Sequence, residues 1–111
     1  MTNITLYHGA RCECVWPGQT LPRWTVWAKR LDQQGSSLAV LAINNGDRNV
    51  DPASIEVPFT ALLGRPAKRA HFTTETDVWS GAARAVGAGA TSWSLPAALS
   101  PHSSYFAVLS R

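Results

Sequence analysis

The chain has 111 residues, of which 45% are hydrophobic and only 15% charged, with a formal net charge of +3. That length supports one domain around a single modest core. Apart from Arg65, Lys68 and Arg69 the basic residues are scattered, so no basic stripe points to nucleic acid, and no apolar run reaches the ~20 residues of a membrane-crossing helix.

Taken in chain order, the pattern is almost entirely that of short strands. Ile4 to Tyr7 is an apolar, β-branched and aromatic run ended by Gly9, and Cys14 to Trp16 is a second short strand closed by Pro17-Gly18. Trp24 to Leu31 and Leu38 to Asn44 flank the polar, Gly-containing segment Asp32 to Ser36, which predicts a hairpin. Asn44-Asn45-Gly46-Asp47 ends the second of these with strong turn chemistry. Ile55 to Phe59 is a short alternating strand with Pro58 at its end, and Thr60 to Gly64 reads as one helical turn stopped by glycine. Ala70 to Thr76 alternates and runs into the corner Asp77-Val78-Trp79-Ser80-Gly81. Ala82 to Ala90 is a small, Gly-rich hairpin, Thr91 to Leu95 a strand, and Ser103 to Leu109 the last strand. About seven or eight short strands separated by Gly and Pro turns predict an all-β fold, an antiparallel Greek-key β-sandwich.

Two strands depart from simple alternation. Leu38-Ala39-Val40-Leu41-Ala42-Ile43 and Tyr105-Phe106-Ala107-Val108-Leu109 are apolar on both faces. A half-exposed strand alternates, so one face of each fills the core and the other predicts a docking surface for another domain or a second copy of the chain.

The order of these segments resembles the C-terminal β-sandwich of the melibiase-like glycoside hydrolases, the family of α-galactosidases and α-N-acetylgalactosaminidases. Val26-Trp27-Ala28-Lys29, followed by Leu31, matches the first strand of that sandwich. Ala39-Val40-Leu41-Ala42-Ile43-Asn44 with its Gly46 turn, Val57 to Gly64, the Asp77–Gly81 corner, and Pro101-His102 leading into Tyr105 to Leu109 match the rest in the same order. The resemblance covers about residues 24–111 and leaves 1–23 as an N-terminal segment of unassigned role with strand character. It implies that Asp77, Trp79 and Gly81 form a structural corner and that Trp27 is structural. It also implies an accessory role, packing on and stabilising a catalytic (β/α)8 glycosidase barrel or self-associating. The barrel, which takes about 250 residues, and its two aspartates have no counterpart here, so no catalytic residue is carried over and the chain alone is not expected to be an enzyme.

The remaining chemistry-bearing residues favour the same reading. Glu75 and Asp77 are the one acidic pair that an extended segment points the same way, yet retaining glycoside hydrolysis needs two carboxyls about 5–5.5 Å apart on a rigid frame. Asp32, Asp47 and Asp51 lie in turns, where they cap backbone amides. His8, Cys12 and Cys14 have the wrong number and spacing for zinc, and Cys12 and Cys14, two apart on a strand, would form a strained bridge. Nothing places His71 or His102 against a cysteine nucleophile, and no metal or cofactor is expected. Five tryptophans are many for this length, so a small carbohydrate-binding or protein-interaction module is the rival reading, with Trp16 the candidate sugar-stacking ring. Met1 to Ala10 has no basic start followed by an apolar run, which predicts a cytoplasmic chain or a domain excised from a larger enzyme.

Overall fold

A computed structural model describes residues 4–12, 18–32, 36–63, 72–87 and 89–111. The fold is all-β, as predicted. Six strands form one antiparallel sheet: β1 (Ile4–His8), β4 (Trp24–Arg30), β5 (Ser37–Asn44), β10 (Ser104–Ser110), β7 (Thr74–Asp77) and β8 (Ala83–Ala85), in that spatial order. Two short ribbons complete the set, β2 (Arg11–Cys12) with β3 (Leu21–Pro22) and β6 (Glu56–Pro58) with β9 (Ser92–Ser94). A 3-10 turn spans Pro52–Ser54, and a single helix, α1, spans Phe59–Leu63.

The predicted hairpin is β4–β5, in a register that sets Val26 opposite Ala42 and Ala28 opposite Val40. Strand periodicity then assigns faces. Val26 and Ala28, Leu38, Val40 and Ala42, and Ala107 and Leu109 all point to one side and are buried. That side is covered by the β6–β9 ribbon, where Val57 pairs with Trp93, and by Ile55, Leu95 and α1. Phe59, Leu62 and Leu63 recur at the spacing that puts them on one helix face; all three are buried, and α1 lies against β1 and β4. Phe59 meets Phe72 edge to face, with ring centroids 5.1 Å apart. Among the described residues the covering layer is smaller than the sheet it covers.

Three local features differ from the sequence reading or add to it. The Asp77–Gly81 corner is itself the hairpin turn, because β8 folds straight back on β7 with Glu75 opposite Arg84; the Gly-rich stretch beyond Ala85 adds no second arm to that pair. Of the strand predicted from Ala70, the described residues are in strand from Thr74, and Phe72 before it is buried in the core. Cys12 is disulfide-bonded, a state that the sequence reading left open while expecting a bridge between Cys12 and Cys14 to be strained. Cys14, the predicted strand Cys14–Trp16, His71 and the Arg65–Arg69 cluster lie outside the described residues. Within the N-terminal segment 1–23, β1 is an edge of the main sheet, with Leu6 opposite Trp27.

Candidate functional site

Two places combine chemistry with accessibility, one on each side of the sheet. The first is built around Glu75. It sits mid-strand in β7 and by register faces the core, between Arg84 of β8 and Leu109 of β10. A carboxylate with 1% exposure needs partners, and it has three. Arg84 donates from a guanidinium nitrogen at 2.9 Å and Trp93 donates Nε1–H at 3.0 Å, both to Oε1, while the Tyr105 hydroxyl donates to Oε2. Trp93 and Tyr105 stack at 6.2 Å with their planes 15° apart. Burial and the Glu75 hydrogen bond push the Tyr105 phenol well above its usual range. This arrangement joins both layers of the fold through one side chain.

Asp77, two residues on, shares the face but does different work. Its Oδ1 accepts the backbone N–H of Trp79 at 2.9 Å and of Ser80 at 3.4 Å. The Asp77 carbonyl accepts the Gly81 N–H at 2.8 Å, and Gly81 takes φ 76°, a left-handed conformation that favours glycine. Asp77 and Gly81 thus build the corner. Trp79 rides on its tip with its indole 71% exposed, touching Phe106 edge-on at 6.0 Å. Glu75 and Asp77 both line a cleft of ≈ 340 Å³, closed on its other side by residues 96–99. As a general acid–base pair they are poorly placed: the Glu75 carboxylate is engaged at both oxygens, and Asp77 is held by its own turn.

The second place is the opposite, outer side of the sheet. There Ala39, Leu41 and Ile43 of β5 and Phe106 and Val108 of β10 lie half-buried, and Trp27 of β4 is 41% exposed. Trp27, Lys29, Ala39, Leu41 and Phe106 line a shallow trough of ≈ 220 Å³. With Trp79 and Val78 at its margin, this is a contiguous apolar surface over the three central strands.

Trp16 lies outside the described residues. His8 is exposed and bonded through Nδ1 to the Gly9 carbonyl, and among the described residues no cluster of three or more His, Cys, Asp or Glu could hold a metal ion. His102 occupies a turn with φ 59°. The sequence reading missed the Arg84–Glu75–Tyr105–Trp93 cage. The one signal for it was a glutamate at a core-facing position of an alternating strand. Comparison of the chain with protein-family models, with curated proteins and with solved structures gave no match.

Proposed function

We propose that the chain is a non-catalytic accessory β-domain, resembling the C-terminal sandwich of α-galactosidases, that works by packing its outer sheet face against a partner. The observation that carries this reading is the apolar surface of Trp27, Leu41, Ile43 and Phe106 across the central strands. Apolar surface of this extent is unfavourable in water and marks contact sites. The partner fitted by the resemblance is a (β/α)8 glycosidase barrel; a second copy of the chain presents the same chemistry to itself. Of the segments that carry the resemblance, those on β4, β5, the β7–β8 corner and β10 build or border the face, while Val57 to Leu63 lies on β6 and α1 in the covering layer. The absence of a free carboxylate pair at Glu75 and Asp77 favours a supporting role over hydrolysis.

Light scattering over a concentration series, with binding of an apolar dye, tests this. The wild-type chain should associate with concentration or bind dye strongly. Leu41→Lys and Phe106→Glu should give monodisperse monomers with the dye signal at least halved. A wild-type chain that stays monomeric throughout with background dye binding overturns the docking reading. Hydrolysis of a nitrophenyl α-galactoside above the blank overturns the non-catalytic one.

A further inference from the structure

The core face of the sheet is not covered to its end. Beyond the β6–β9 ribbon it opens into the ≈ 340 Å³ cleft, with Asp77, Arg84, Ser104 and Tyr105 on the sheet side and Ala97 and Leu99 on the loop side. Both walls are fixed. On the sheet side, the buried Glu75 holds Arg84 by one nitrogen and Tyr105 by its hydroxyl. On the loop side, Leu99 exchanges backbone hydrogen bonds of 2.9 Å with Val50, and the Asn44 side-chain amide donates to the carbonyls of Leu99 and Ser100 at 2.9 and 3.1 Å. A rigid concavity with converging polar groups is the usual form of a small-ligand site.

The polar groups left over define what fits. The Arg84 side chain is half exposed, and only one of its donors is used by Glu75. Asp77 Oδ1 is occupied by its turn, and Oδ2 takes no hydrogen bond among the described residues. The Tyr105 oxygen, whose hydrogen goes to Glu75, adds a group that can accept. These polar groups share the lining with the small residues Ala82, Ala97 and Ala98. The geometry points to a binding site for one neutral polyhydroxylated ring of monosaccharide size, held by Arg84, Asp77 and the Tyr105 oxygen with its C–H face against the alanines of the lining. One cation against two carboxylates leaves the wall net negative, which disfavours phosphate or carboxylate ligands. A purely apolar ligand would strand Arg84 and Asp77 without water. The cleft is also of a size to enclose such a ring, within the ~300–1,000 Å³ range of ligand pockets.

The site lies on the other side of the sheet from the docking face, so it stands or falls independently of what covers that face. Its test is titration of the full chain with D-galactose, D-glucose, D-mannose and myo-inositol, followed by amide NMR shifts and ligand saturation transfer, with sodium phosphate and sodium acetate as anion probes. At least one polyol should bind, with shifts concentrated at residues 82–85 and 97–99. Ala98→Trp and Ala97→Trp fill the cleft from exposed positions without touching the Glu75 cage, and each should weaken binding by at least about tenfold. Trp79→Ala, on the outer side, should leave binding unchanged. The assignment is overturned if no polyol shifts any residue, or if phosphate or acetate binds there in preference. It is equally overturned if binding survives both cleft-filling variants and disappears in Trp79→Ala, which would place the sugar on the outer aromatic surface. A urea midpoint for each variant shows that the fold is intact, and because the two fillings are separate substitutions, one folded variant suffices.

Discussion

At the scale of single residues, Glu75 decides more than any other side chain. Removing its carboxylate leaves the buried Trp93 Nε1–H unsatisfied, a loss of about 1–3 kcal/mol, and it releases Tyr105 and Arg84. Glu75→Ala is therefore expected to cost about 1–3 kcal/mol, read as a lowered urea midpoint with unchanged slope. Tyr105 adds a pH signature. Its phenol is raised in the folded state by burial and by Glu75, so folding favours the protonated form. That contribution is complete below the unfolded value of about 10 and is lost as pH rises through the higher folded value. Stability of the wild type should fall more steeply above about pH 10 than that of Tyr105→Phe; parallel curves would refute the assignment. Asn44 works in the same way at the end of β5, its amide bonded to three carbonyls and its oxygen to the Gly46 N–H. Gly9 shows the converse constraint, since a Cβ there would overlap the indole of Trp24.

At the scale of elements, the β7–β8 turn is the best place to separate backbone from side chain. A Cβ at Gly81 meets nothing within 4 Å, yet φ is 76°. Gly81→Ala should cost about 1–2 kcal/mol through the backbone alone, with no change in core packing seen by tryptophan fluorescence. A loss much larger than that would mean the turn also makes contacts through this position. The elements themselves were largely legible. β4, β5, β9 and β10 fall within a residue or two of their predicted ends. The short helix was legible too, as one turn over Thr60 to Gly64, against the observed Phe59–Leu63. What was not legible was pairing. Ala83-Arg84-Ala85 has too little side-chain mass to announce a strand, so β8 could be recognised only from its partner. The cage was hidden for the same reason: Arg84, Trp93 and Tyr105 lie 9, 18 and 30 positions from Glu75, and only the register of β7 with β8 and β10 brings them together.

At the scale of the whole molecule, the sheet is two-faced in an unequal way. One face is filled by a layer smaller than itself, and that shortfall exposes the cleft by Arg84. The other face is apolar in its centre. Two-sided hydrophobicity in β5 and β10 made the second feature visible from the sequence, because no solvated strand needs Ala39, Leu41, Ile43, Phe106 and Val108 on its outer side. The first feature depends on how far the covering ribbon reaches, which β6 and β9 leave undecided until they pair. Since the two surfaces lie on opposite sides, a domain docked on one leaves the other open, and the Leu41→Lys variant should bind any cleft ligand as the wild type does.

The spatial order of the strands sets a sequence of events in time. β10, residues 104–110, lies between β5 and β7 and is hydrogen-bonded to both. During synthesis, β4 and β5 can zip into a hairpin early, while β7 and β8 form a second hairpin that has nothing to join. Only when residues 104–110 leave the ribosome can the two halves be stitched into one sheet. Until then Leu38, Val40 and their neighbours have open backbone edges as well as exposed side chains. The nascent chain thus passes through a window in which pairing with another copy competes with self-closure, and the speed of translation through the last strand governs how long that window stays open.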